Sequence, residues 1–195
     1  MPLRLLVFII CLYTSSAQCQ SEMQRLAAVF SGRWTIKDKS EPSPQEPVGN
    51  TRSGEELWHT LGGGTPLIEE YHSKSPDGKE EYDTAVFWWD ATARRYTGLF
   101  CADFVDHGCS AFNIVWQASG RHGLGADVSR SVKAEKQDQI LMSGEYLQNG
   151  KKYIWKESFV FTTPTTFTQT LFLGEGGRPL RRAAIISATR IGNTH

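Results

Sequence analysis

The chain has 195 residues, and its 21 Lys and Arg balance its 21 Asp and Glu, so the formal net charge is zero. That length suits one domain, and neutrality argues against nucleic acid as a partner, because phosphate binding draws on a basic surplus or stripe. The densest basic cluster, Arg178, Arg181 and Arg182, is too small to supply one.

The N-terminus comes first. Met1-Pro2-Leu3-Arg4 is a short basic start, Leu5 to Tyr13 is an unbroken apolar run, and Thr14-Ser15-Ser16-Ala17 is small and polar. This three-part order is that of a secretory signal peptide. It is expected over residues 1–19, with cleavage after Ala17 or after Cys19. A buried N-terminal helix is the alternative. Lipidation of Cys19 is disfavoured because Gln18 before it is not small. The run is shorter than the roughly 20 residues a bilayer takes, and no later stretch is long enough, so no stable membrane span is expected. Residues 20–195 are then a single domain, secreted or periplasmic.

Residues 21–30 carry Met23, Leu26, Ala27 and Phe30 at spacings of three and four, which predicts a short helix. Pro42, Pro44 and Pro47 among polar residues mark a loop. Strand-forming runs follow between turn signals: 33–38, 51–60, 66–74, 81–90, 96–103, 110–117, 139–147, 152–162, 166–174 and 180–190. A further strand near 128–134 fits the stretch 119–138. Gly62-Gly63-Gly64, Ser75-Pro76-Asp77-Gly78 and Gly176-Gly177 punctuate the series, and Asn149-Gly150 is a hairpin signal, since both residues tolerate positive φ. Trp34, Trp58, Trp88, Trp89, Trp116 and Trp155 are spread along these runs and bring large buried areas.

Alternation sets the architecture. Tyr153, Trp155, Phe159 and Phe161 share one face of their strand, with Lys156, Ser158 and Thr162 on the other. Phe167, Leu171 and Leu173 likewise oppose Thr168 and Thr170. Period-two patterning gives one buried and one wet face. Eight to ten such strands joined by short turns predict an all-β, antiparallel up-and-down barrel with a short N-terminal helix. A β-sandwich is the rival reading.

Removing the leader takes away Cys11, and Cys19 leaves with it or lies at the new terminus, so Cys101 and Cys109 remain as a close pair, which in an oxidising compartment reads as a disulfide across a hairpin loop. The same loop holds Asp103, Asp106 and His107, so a metal site and free thiols are the alternatives.

The segment Phe30-Ser31-Gly32-Arg33-Trp34, a helix end followed by Gly-x-Trp on the first strand, resembles the start of a lipocalin or other calycin barrel. In those families the Trp closes one end of the barrel, which assigns Gly32 and Trp34 as barrel-closing residues here. Residues 25–190 resemble a group of uncharacterised lipocalin-like domains in exported bacterial proteins. Shared features include Gly62-Gly63-Gly64, Pro76-Asp77-Gly78, Trp89-Asp90, Arg95-Tyr96-Thr97-Gly98, the Cys101 and Gly108-Cys109 pair, and Trp155-Lys156-Glu157-Ser158-Phe159. The resemblance carries no activity, and the later structural motifs of true lipocalins are not recognisable.

No catalytic signature is present: no Gly-x-Ser-x-Gly elbow, no His-Glu-x-x-His, no phosphate loop. Gly123-Leu124-Gly125 reads as a turn. Some barrels of this general kind bind haem through one axial His. His59 and His72, on adjacent strands, are the candidates that could face an interior, yet no axial-ligand motif flags them, so no cofactor and no metal are expected. Glu157 shares the aromatic face of its strand with Trp155, and Arg182 alternates with Leu180, Ala184 and Ile186. The two could orient a ligand, pair with each other, or lie near a solvated mouth. The doublets Glu55-Glu56, Glu69-Glu70 and Glu80-Glu81 read as solvated strand ends.

The expected function is binding of a small, largely apolar ligand inside the barrel, through Trp155, Glu157, Arg182, His59 and His72. An enzyme using the cavity (an isomerase or hydrolase) and a ligand-free structural domain are the alternatives. A filled interior would exclude binding and catalysis. A cavity with converging polar groups would favour catalysis.

Overall fold

The computed structural model describes residues 19–42, 48–62, 64–117 and 139–192. The expected leader up to residue 18 and the possible strand near 128–134 lie outside them. A helix, α1, covers 19–30. Ten strands follow: β1 (Gly32–Ser40), β2 (Asn50–Thr60), β3 (Leu67–Lys74), β4 (Glu80–Asp90), β5 (Arg95–Ala102), β6 (Cys109–Gln117), β7 (Gln139–Gln148), β8 (Lys151–Thr163), β9 (Thr166–Glu175) and β10 (Arg181–Arg190). Each sits within a residue or two of a run expected from alternation.

Every strand pairs antiparallel with its neighbours in sequence, and β1 pairs with β10 from Trp34 opposite Arg190 to Ser40 opposite Ala184. The sheet is therefore one closed barrel. The sandwich reading fails because no strand leaves the meander for a second sheet, and closure leaves no edge unpaired.

The core fills one end. The apolar stripe of α1 puts Met23, Leu26 and Phe30 fully inside. Phe30 stacks on Trp58 with ring centroids 4.2 Å apart and meets Phe159 edge-on at 5.4 Å. Burying side chains of this size stabilises by about 1.5–3 kcal/mol each. Polar contacts fix the plug: the Tyr96 hydroxyl donates to Glu22 Oε2 at 2.5 Å, and the Arg25 guanidinium lies 4.1 Å from the Trp116 ring centre. Trp34, with no exposed surface, donates from Nε1 to Phe30 O at 2.8 Å. Gly32 and Trp34 thus stand at the plugged end, where β1 begins.

Because β1 begins at the plugged end, the odd-to-even connections all lie at the other. Cys101 and Cys109 stand directly opposite one another across β5 and β6 and are joined by a disulfide, with Cα atoms 4.0 Å apart. The loop they close is tied to the β7–β8 turn. Asp106 accepts hydrogen bonds from the backbone N–H of Asn149 at 2.7 Å and Gly150 at 2.8 Å. Those two turn residues have φ of 53° and 72°, the left-handed conformation the Asn-Gly pair tolerates.

Candidate functional site

The unplugged half of the barrel is not filled. A cavity of about 470 Å³ opens at the end away from α1. Its walls follow from strand parity. Inward residues of β4, β6, β7 and β9 supply Ala85, Phe87, Phe112, Met142, Leu171 and Leu173. Trp155 joins them from β8. Gly144 makes room for it: a Cβ there would stand 3.0 Å from Trp155 Nε1.

Carboxyl groups break this apolar wall. At the mouth, Arg52 pairs with Glu81 at 3.1 Å and Asp38 at 3.7 Å. Deeper, Glu69 of β3, Asp83 of β4 and Glu157 of β8 line the same cavity. Glu56 lies beneath them with no exposed surface, its Oε2 accepting from Trp58 Nε1 at 3.0 Å. Asp83 and Glu157 are partly buried and line the cavity.

This setting disfavours ionisation. Burial pushes Glu157 up to about 7, opposed by a hydrogen bond from Gln169 and reinforced by Glu56. Burial likewise pushes Glu56 up to about 7 against the bond from Trp58. Glu69 is held well above the carboxylate range by burial, then by the charges of Glu56, Asp83 and Glu157. Asp83 is raised by burial, then by Glu157, Glu81 and Glu56.

The structure sorts the site residues expected from sequence. Trp155 and Glu157 both line the cavity. Arg182 does not meet Glu157. A register shift in β10 between Arg182 and Ala184 turns Ala183 and Ala184 to the cavity and Arg182 outward. Its guanidinium donates to Glu41 at 2.8 Å on the rim. His59 and His72 are outside, because their neighbours Trp58 and Tyr71 take the inward positions. His59 Nε2 is 4.0 Å from Glu70, and His72 stacks on Tyr82 with centroids 4.3 Å apart. Among the described residues no three His, Cys, Asp or Glu side chains are set to hold a metal ion.

Sequence reasoning missed Glu56, Glu69, Asp83 and Gln169. Glu56 and Glu69 are buried, so these members of the Glu doublets are not solvated strand ends. The signal was available: Glu56 stands two before Trp58, and Glu69 two before Tyr71, so each shares the face of an inward aromatic.

Fold and interior define the class: a ten-stranded lipocalin-like barrel, plugged at one end and open at the other. The chain is similar to several solved structures. Rv2717c from M. tuberculosis matches with a TM-score of 0.60 at 13% identity, over 87% of this chain and 96% of that one. The S-type phycobiliprotein lyase CPES from Guillardia theta matches with a TM-score of 0.50 at 8% identity, over 88% of this chain and 93% of that one. At these identities the likeness is one of fold alone. No family model and no curated protein matches the chain.

Proposed function

We propose that this chain is an exported carrier or sensor that takes one small, largely apolar ligand into its barrel through the open end. The observation that carries the reading is the cavity of about 470 Å³, walled by aromatic and aliphatic side chains and reached from one side. Ligand pockets have this size and this mixture of apolar walls and few polar groups. Trp155 and Glu157 are its proposed contacts, with Arg182 at the rim and His59 and His72 outside the contact set. Export is the compartment reading: the Cys101–Cys109 disulfide suits an oxidising environment, as does the basic-apolar-small order at the N-terminus.

Converging carboxyls favour a second reading, an isomerase or hydrolase using Glu157 for proton transfer, since a carboxyl near 7 is matched to that work. It ranks second because, among the described residues, no His or free Cys lines the cavity beside them.

Titration with an apolar fluorescent probe tests the carrier reading. Saturable one-to-one binding is expected, and Ala85→Trp, which fills the cavity from its wall, should abolish it. Undiminished binding by a folded Ala85→Trp protein would place the probe elsewhere and overturn the reading. Chemical change of a ligand recovered from the host protein, on incubation with fresh protein, would promote the second.

A further inference from the structure

We infer that the ligand carries a basic nitrogen, seated as its cation among Glu69, Asp83 and Glu157, with its apolar body along Phe112, Met142 and Trp155. The inference rests on the carrier reading and adds the chemical class of the ligand.

The first observation is the imbalance of the interior. Among the described residues, the cations lining the cavity are Arg52 and Lys79, both toward the mouth. Arg52 is engaged by Asp38 and Glu81. Glu69, Asp83 and Glu157 reach the deeper cavity from three different strands, and no ion pair joins any of them to a described cation. Burying like charges without a counter-ion is costly, so these groups either keep their protons or receive a cation. Burial makes them hold protons more firmly than usual.

The second observation is a neutral amide beside the carboxyls. Gln169, 6% exposed, lines the same cavity from β9. Its Oε1 has no hydrogen-bond partner. A buried acceptor without a donor calls for one; Trp155 Nε1, on the same cavity wall, is a donor likewise without an acceptor. One ligand group meets the needs of the carboxyls and of Gln169. An ammonium supplies N–H donors to Gln169 Oε1 and a positive charge to the carboxylates. A hydroxyl would satisfy the amide without balancing the charge, and a carboxylate would add to the repulsion.

Three probes with one apolar body separate these cases: decylamine, decanol and decanoate, titrated calorimetrically below their micellar concentrations. Decylamine should bind at least about tenfold tighter than decanol, with decanoate weakest, as expected when a charge finds buried partners. The Asp83→Asn/Glu157→Gln protein should lose at least about tenfold for decylamine and stay within about twofold for decanol; Glu69→Gln alone gives the same readout if the double variant does not fold. Equal affinities for decylamine and decanol, unchanged by the substitutions, would overturn the inference and leave the carrier reading standing. Preference for decanoate would also overturn it. Failure of all three to bind, with no mass increment on protein from its own host, would overturn both.

Discussion

Arg190 lies over the indole of Trp34, its guanidinium carbon 4.5 Å from the ring centre. The two residues face one another across the β1–β10 seam that closes the barrel. Arg190 also donates to Val29 O at 2.5 Å, so one side chain ties the first strand, the last strand and the end of α1 together. Trp34→Ala should therefore cost about 3–5 kcal/mol, the range for large core truncations. Chemical denaturation measures it, and an unchanged midpoint would mean that the seam closes without the indole.

The rim has its own fastening. Asp106 bonds two N–H groups of the β7–β8 turn, inside a loop already closed by Cys101 and Cys109. Replacing both cysteines by Ser should cost about 2–3 kcal/mol, from the loop-closure entropy of so short a loop. Asp106→Ala should cost about 1–3 kcal/mol, because each N–H loses a charged acceptor. Non-reducing peptide mapping should recover the two cysteines in one linked pair. Two alkylatable thiols in freshly exported protein would contradict the staple.

Interior carboxyls set a pH dependence whose sign can be stated. Glu56 and Glu157 ionise near 7 in the folded chain against 4.5 ordinarily. Between those values the folded chain keeps protons that the unfolded chain has released. Stability from these groups is full below about 4.5, falls as pH rises through the window, and levels off above it, by at most roughly 3 kcal/mol for each. Asp77 and Glu80, which are exposed, and Glu175, which is half-buried, are lowered by hydrogen bonds and act in the opposite sense, only below their ordinary values. Thermal melting should give a higher Tm at pH 5.5 than at pH 8, and Glu157→Gln should narrow the difference. A Tm that rises over that interval would contradict the burial of these carboxyls.

Export makes a separate prediction. N-terminal sequencing of the mature protein should begin between Gln18 and Ser21. An intact Met1 on exported protein would sink it.

The sequence made the frame legible and left the register partly hidden. Strong alternation on β8 and β9 put Trp155, Glu157, Phe159 and Phe167 on one face, and the structure agrees. Gly32-Arg33-Trp34 stands where β1 follows α1, at the plugged end. Arg182 could not be placed, because a bulge in β10 breaks the alternation that would carry it inward. His59 and His72 fell on the wrong face for want of an anchor, although Trp58 and Tyr71 beside them are the larger apolar residues and take the core. The carboxyl cluster was hidden for a different reason. Glu69 and Asp83 share the β3–β4 hairpin, but Glu157 lies far along the chain, and only closure of the barrel brings β8 around the same cavity.

The central claim is that the cavity is a ligand site, and native mass spectrometry of protein purified from its own host tests it most directly. The account predicts a mass above that of the mature, disulfide-bonded chain by one small molecule, released on unfolding and absent from folded Ala85→Trp protein. A folded protein at the mass of the chain alone, which also binds no apolar probe, would contradict it.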